Sequence, residues 1–185
     1  MITTRTPFLL GPLLLTAYGL LRYVDGLDGV RGPGPAWTVG HLAFLAGVGF
    51  LLWGLVLLGR ATGPDRLGAV GRGLAWVGAA AFGVQFGTDV LFGLLSADHA
   101  ELSARSADFM AIPGVKPAFY LVGPLLFFVG QVLVFARAAA RGLVGWWVPA
   151  LVLLSAVLPM VAKDLIPVGG VLLLLAHLPL MRRVG

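Results

Sequence analysis

The sequence predicts an all-α, polytopic integral membrane bundle of six transmembrane helices, with the N and C termini cytoplasmic. Three observations predict it. The first is composition: 59% of the 185 residues are hydrophobic and only 11% charged, against about 25% charged in an ordinary soluble domain. The second is six apolar stretches of spanning length. The third is a one-sided distribution of basic residues.

A membrane helix needs about 20 mostly apolar residues, within a range of about 17 to 25. The six stretches run over 7–23, 36–59, 73–95, 118–139, 143–161 and 165–181. They fill one transmembrane domain, with no soluble domain and no linker. The first follows Arg5, and no small-residue cleavage site follows Leu15, so it reads as a retained signal anchor. The last reaches only about 25 Å at 1.5 Å per residue, so it must stand upright. The connections 24–35 and 96–117 are the long ones. Within the second, 97–110 is amphipathic and is expected to form a short helix on the membrane surface.

Six spans place the termini and the second and fourth connections on one side. That side carries Arg5, Arg60, Arg66, Arg72, Arg137, Arg141, Arg182 and Arg183 against Asp65 alone. The other carries Arg22, Arg31, Arg105, Lys116 and Lys163 against Asp25, Asp28, Asp98, Glu101, Asp108 and Asp164. The excess of arginine marks the cytoplasmic side of a cell-membrane protein. Tyr23, Trp37 and Tyr120 fall at the outer ends of the spans and Trp76, Trp146 and Trp147 near the inner ends, as an interfacial belt requires. The net charge of +5 is therefore a topology signal with lipid headgroups as partners. No basic stripe with interleaved aromatics points to nucleic acid.

Composition also removes chemistries. The chain has no cysteine, hence no disulfide, no thiolate metal site and no c-type haem attachment. It has no asparagine, hence no N-glycosylation. His41 and His177 lie near opposite membrane faces, about 20 Å apart in depth, so they cannot share a haem. His99, beside Asp98 and Glu101, could join His41 in an outer metal site, but a wet loop histidine is the commoner reading. Lys116 and Lys163 sit at span ends, which excludes a retinal Schiff base. No metal and no cofactor is expected.

Polar groups inside hydrocarbon are costly and mark function. Asp89 is the eighth acid and the only one within a span. An Asp at a helix centre costs about 2.5 to 3.5 kcal/mol, so it is expected to face the bundle interior and, in an apolar pocket, to carry its proton. Gln85 lies one turn away on the same face, flanked by Phe82 and Phe86. It reads either as an orienter of Asp89 or as a structural link. Lys163 and Asp164 sit between Pro159 and Pro167 at the last junction, an interruption that can line a cavity. Asp164 could be drawn inward beside Asp89. Asp25 and Asp28 fit a cation site or plain Asx-Gly turns. Aromatic residues, among them Trp53, Phe82, Phe86, Tyr120, Phe127 and Phe128, are candidates for the walls of an apolar cavity. Small residues including Gly47, Gly49, Gly78, Gly83, Gly87 and Gly130 allow close helix approach.

In size, number of spans and polar inventory, the whole chain resembles the small integral-membrane terpene cyclases. That resemblance implies a membrane-embedded enzyme acting on a lipophilic prenylated substrate without a metal. Asp89 would be the general acid, Gln85 its orienter, and Asp164 or Asp25 its substitutes. Alkene protonation needs a neutral acid, a water-poor site and π faces for the cation. The alternative is a proton-coupled transporter, or a lipid- or ion-binding protein, using the same buried Asp.

Overall fold

In the computed structural model, residues 4–183 are described, and every regular element among them is helical. Helix α1 spans Thr6–Asp25, with Pro7 in its first turn and Arg22 in its last, as the free N–H groups and the helix dipole favour. Helix α2 spans Pro35–Thr62 and stops at Gly63, whose φ of 79° is open to glycine. Helix α3 spans Arg66–Leu95. Its cap is Asp65, which accepts from the Gly68 amide at 2.9 Å and from Arg137 Nε at 2.8 Å. Those two donors hold the Asp65 carboxyl below its ordinary range, the amide most strongly.

The amphipathic segment predicted over 97–110 is helix α4, His99–Ala111. Asp98 accepts from the Glu101 amide at 2.9 Å and Glu101 accepts from the Ala97 amide at 2.8 Å, a variant of the reciprocal N-terminal cap. The Ala97 amide, then Arg105, hold the Glu101 carboxyl low. A π-helical turn over Lys116–Val122 runs directly into α5, Gly123–Ala140. Helix α6 is Trp147–Val161, and a 3₁₀ turn over Lys163–Leu165 leads into α7, Ile166–Met181.

Five helical segments are long and apolar enough to cross a membrane: α1, α2, α3, the 25-residue run Lys116–Ala140, and Lys163–Met181. On length and composition this is a membrane protein. The fifth predicted span is shorter than its apolar stretch, because α6 has 15 residues and starts at Trp147, not at 143. The reason lies in how α5 ends. Gly142, at φ 70°, donates to Ala139 O, and the Leu143 amide donates to Ala138 O at 3.0 Å. That is a Schellman cap. It commits Leu143 to closing α5 and leaves it unable to open α6.

The six long helices close into a ring in the order α1, α2, α3, α5, α6, α7 and back to α1. Chain neighbours in the ring run antiparallel. Helix α4 lies at one end, beside the connections 26–34 and 162–165. The other end is filled by Phe8, Leu58, Phe127, Val134, Phe135 and Leu180, all fully buried. There α2 touches α5 across the ring, and His177 is enclosed between the rings of Phe8 and Phe135.

Glycine sets how closely the walls approach. A Cβ at Gly78 would land on the backbone of Phe127, and one at Gly130 on the Gly71 carbonyl and the Ala75 amide. The α3–α5 seam is therefore backbone against backbone, the small-residue mode of membrane helix packing. A Cβ at Gly47 would stand 3.2 Å from the Gly11 carbonyl across α1–α2. Gly49, Gly83 and Gly87, also predicted to ease packing, face open space.

Candidate functional site

Above the packed half, at the α4 end, the ring encloses a cavity of about 450 Å³. Its floor and sides are aromatic. Phe44 of α2 stacks on Phe86 of α3, centroids 3.7 Å apart and 7° from parallel. Phe82 meets Phe44 and Phe128 edge-on at 4.9 and 5.8 Å. Tyr18 and Tyr120 complete the lining from α1 and the π-helical turn. The volume falls within the roughly 300–1,000 Å³ of small-molecule pockets.

Asp89 and Gln85 both line this cavity, so the face predicted for them is the one they occupy. The partner of Asp89 is His41 of α2, whose Nε2 stands 3.7 Å from Asp89 Oδ2. The two side chains are only 7% and 16% exposed. His41 Nδ1 is 2.7 Å from the Trp37 carbonyl. A carbonyl can only accept, so Nδ1 carries the hydrogen and Nε2 turns its second site toward the acid. Trp37 fixes both groups: its ring packs on His41 at 4.1 Å, and its Nε1 donates to the Asp89 carbonyl at 3.0 Å. Gly93 makes room for it, since a Cβ there would stand 2.7 Å from the Trp37 ring.

Several expectations are corrected by this geometry. Gln85 does not bond Asp89; its Oε1 is buried in the wall with no hydrogen-bond partner. Asp164 is not drawn inward. It is 60% exposed, lies 3.6 Å from Arg31, and its carbonyl accepts from the Tyr23 hydroxyl at 2.7 Å. The 3₁₀ turn pins it at the rim, so only its neighbour Lys163 lines the cavity. Asp25 and Asp28 serve the turn after α1: Asp25 accepts from the Gly32 amide and Asp28 from the Val30 amide, each at 3.1 Å. Trp53 lies away from the cavity, stacked on Phe50 at the outer surface of α2. Phe127 is fully buried behind Phe82 and Phe128 and is core, not wall. Trp37 is no interfacial anchor, being turned inward onto His41.

His99 Nδ1 bonds the Arg31 carbonyl at 2.8 Å, so that ring nitrogen is already used. Among the described residues no three His, Asp or Glu side chains are grouped to hold a metal ion.

The missed residues are His41, Trp37, Tyr18 and Arg22. One signal could have found the first. His41 is 22 residues before Gly63 and Asp89 is 24 after Asp65, so the tight α2–α3 turn brings them to nearly one depth.

The cavity has an open side. Of its lining residues, Leu121, Leu125, Met160 and Lys163 are exposed, the three apolar ones each about half. They cluster where α5 begins and α6 ends. Helix α6 packs on α5, α7 and the 3₁₀ turn, and Ala156, Pro159 and Met160 face the cavity. Compared with known proteins, the chain matches no family model, no curated relative and no solved structure.

Proposed function

We propose that the protein is a six-span enzyme of the cell membrane that cyclises a lipophilic prenylated substrate by protonating an alkene, with Asp89 as general acid. The observation that supports this is a shielded carboxyl group on the wall of a lipid-sized aromatic cavity that opens sideways between α5 and α6. A substrate dissolved in the bilayer enters there without crossing water.

In the reaction, the Asp89 proton adds to one alkene carbon. The neighbouring carbon becomes cationic, and the π electrons of a second double bond close the ring. The stacked Phe44 and Phe86 and the edge-on Phe82 offer faces to the cation. The unpaired Gln85 Oε1 adds a dipole of the right sign. Loss of a proton from the final cation ends the sequence. His41 Nε2 receives it and returns it to Asp89, so product and substrate are isomers and no co-reactant is needed.

Purified protein incubated with farnesol, farnesyl phosphate and longer prenyl analogues is expected to yield cyclic isomers, equally with and without EDTA. Absence of product on every prenyl substrate would end the cyclase reading. Phe86→Leu is expected to change the product mixture more than substrate affinity, because it removes a π face but little apolar bulk. An unchanged mixture would take Phe86 out of the mechanism.

Transport is the weaker reading: the cavity ends on Phe82 and Phe128, and the half of the ring beyond it is packed with fully buried side chains.

The proposed topology has both termini cytoplasmic and α6 as a short sixth span. Cysteines introduced at Ser103 and Pro64, both exposed and at opposite ends of α3, are expected to react from outside and inside respectively. Labelling of both from one side, or in the reverse sense, would refute it.

A further inference from the structure

The rim of the cavity holds two cations that the proton chemistry does not use. Arg22, in the last turn of α1, and Lys163, in the 3₁₀ turn before α7, both line it at the α4 end. The Tyr23 hydroxyl, bonded to the Asp164 carbonyl, ties these two elements together. The acids nearby are otherwise engaged. Asp164 pairs with Arg31, and Asp25 accepts the Gly32 amide. Among the described residues neither Arg22 nor Lys163 has a carboxylate within 4.0 Å, and Arg22 Nε is buried with no hydrogen-bond partner. A partly buried guanidinium without a counter-ion is costly. With a second cation on the lining of the same cavity, it offers a seat for an oxyanion.

We propose that the ligand of this cavity is an anionic amphiphile, a prenyl chain bearing a phosphate head. The head sits between Arg22 and Lys163 at the rim, and the chain runs inward past Asp89 along Phe86 to Phe82. Phe82 lies seven residues below Asp89 on α3, about 10 Å deeper, so the acid stands beside the chain and not at its end. The phosphate is an anchor and stays on the chain; it is not a leaving group. This assignment rests on the prenyl-substrate reading above and adds the headgroup to it.

The test is binding by isothermal titration calorimetry to the full chain in a neutral maltoside detergent. Farnesyl phosphate is expected to bind at least about tenfold more tightly than farnesol, as charge-assisted hydrogen bonds from two cations require. In the Arg22→Gln/Lys163→Gln double variant that preference should vanish, with thermal unfolding in the same detergent reporting an intact fold. Lys163→Gln alone, at an exposed position, should lose part of the preference. Equal affinity of the two probes for the native protein would overturn the proposal, as would a preference that survives in the double variant. Displacement of farnesyl phosphate by millimolar inorganic phosphate would make the rim a free-anion site. Displacement by phosphatidylglycerol would make it a contact for bulk membrane lipid; either result overturns the proposal. Failure of the two readings is separable. Headgroup preference without turnover defeats cyclisation only, and turnover of farnesol and farnesyl phosphate with equal affinity defeats the headgroup only.

Discussion

Asp89→Asn is expected to lower turnover of prenyl substrates by about 10² to 10⁴, the usual contribution of a general acid. The variant should bind substrate as the native protein does. Asn keeps the volume of the side chain and leaves the cavity walls in place, but its amide has no acidic proton to give an alkene. The fold should survive as well. Trp37 binds the backbone carbonyl of Asp89, not its carboxyl, so the link between α2 and α3 is untouched. The substitution also removes a carboxyl from a site only 16% exposed and leaves an amide facing neutral or protonated His41, which is no more costly to bury. The measurement is single-turnover product formation beside thermal unfolding in detergent. Full activity in Asp89→Asn would remove the carboxyl from the mechanism. Loss of both activity and folding would assign Asp89 to structure.

Gly78→Ala is expected to be among the most destabilising single-methyl changes in the chain. The new Cβ would meet the Phe127 amide nitrogen and Cα, backbone atoms that cannot swing away as a side chain can. Helices α3 and α5 must then separate along a seam that also depends on Gly71 and Gly130. Overpacking of this kind costs about 1–3 kcal/mol and sometimes more. The same substitution two and a half turns along the helix has the opposite expected sign. A Cβ at Gly87 meets nothing within 4 Å, and replacing Gly by Ala inside a helix favours it by about 0.5–1 kcal/mol. Thermal unfolding of the two variants in one detergent compares them directly. If Gly78→Ala is as stable as Gly87→Ala, the α3–α5 seam is looser than the structure has it.

The two variants also separate what each part of the ring does. The Gly78 seam sets the position of Phe82, one turn further on, relative to Phe127 and Phe128 of α5. A wider seam would move the cavity floor without touching Asp89. Partial folding of Gly78→Ala with altered products would therefore connect packing in the closed half of the ring to selectivity in the open half.

Much of this protein is legible in one dimension. Hydrophobic length located α1, α2 and α7 to within a few residues and the end of α3, because hydrocarbon demands an internally bonded backbone over a set thickness; α3 begins seven residues before its predicted span, at the Asp65 cap. The short helix α4 followed from its amphipathic pattern, and the structure adds the Asp98–Glu101 cap that starts it. The cost of an acid in lipid turned Asp89 inward, with Gln85 on the same face, before any contact was known. Residues whose roles depend on a second helix were not legible. Phe82 and Phe127 look alike as aromatic residues in apolar spans, yet one lines the cavity and the other is core. Trp53 looked like a wall residue and lies on the outer surface. Asp164 looked like a second buried acid and is held at the rim by Arg31 and the 3₁₀ turn.

The sequence alone determined that the chain is a helical membrane protein and which apolar stretches form its long helices, because both depend on local composition and on the thickness of the solvent. It also determined which residue types could carry chemistry. The tertiary structure decided which of them meet. The pairing of Asp89 with His41, the seat of Trp37 against Gly93, and the opening between α5 and α6 follow from the rotation and offset of whole helices. Those are set by a few backbone contacts at Gly78 and Gly130, by the room Gly93 leaves for the Trp37 ring, and by the cap that shortens α6. Each is a property of two surfaces together, and the hydrophobic period of either helix alone carries no information about it.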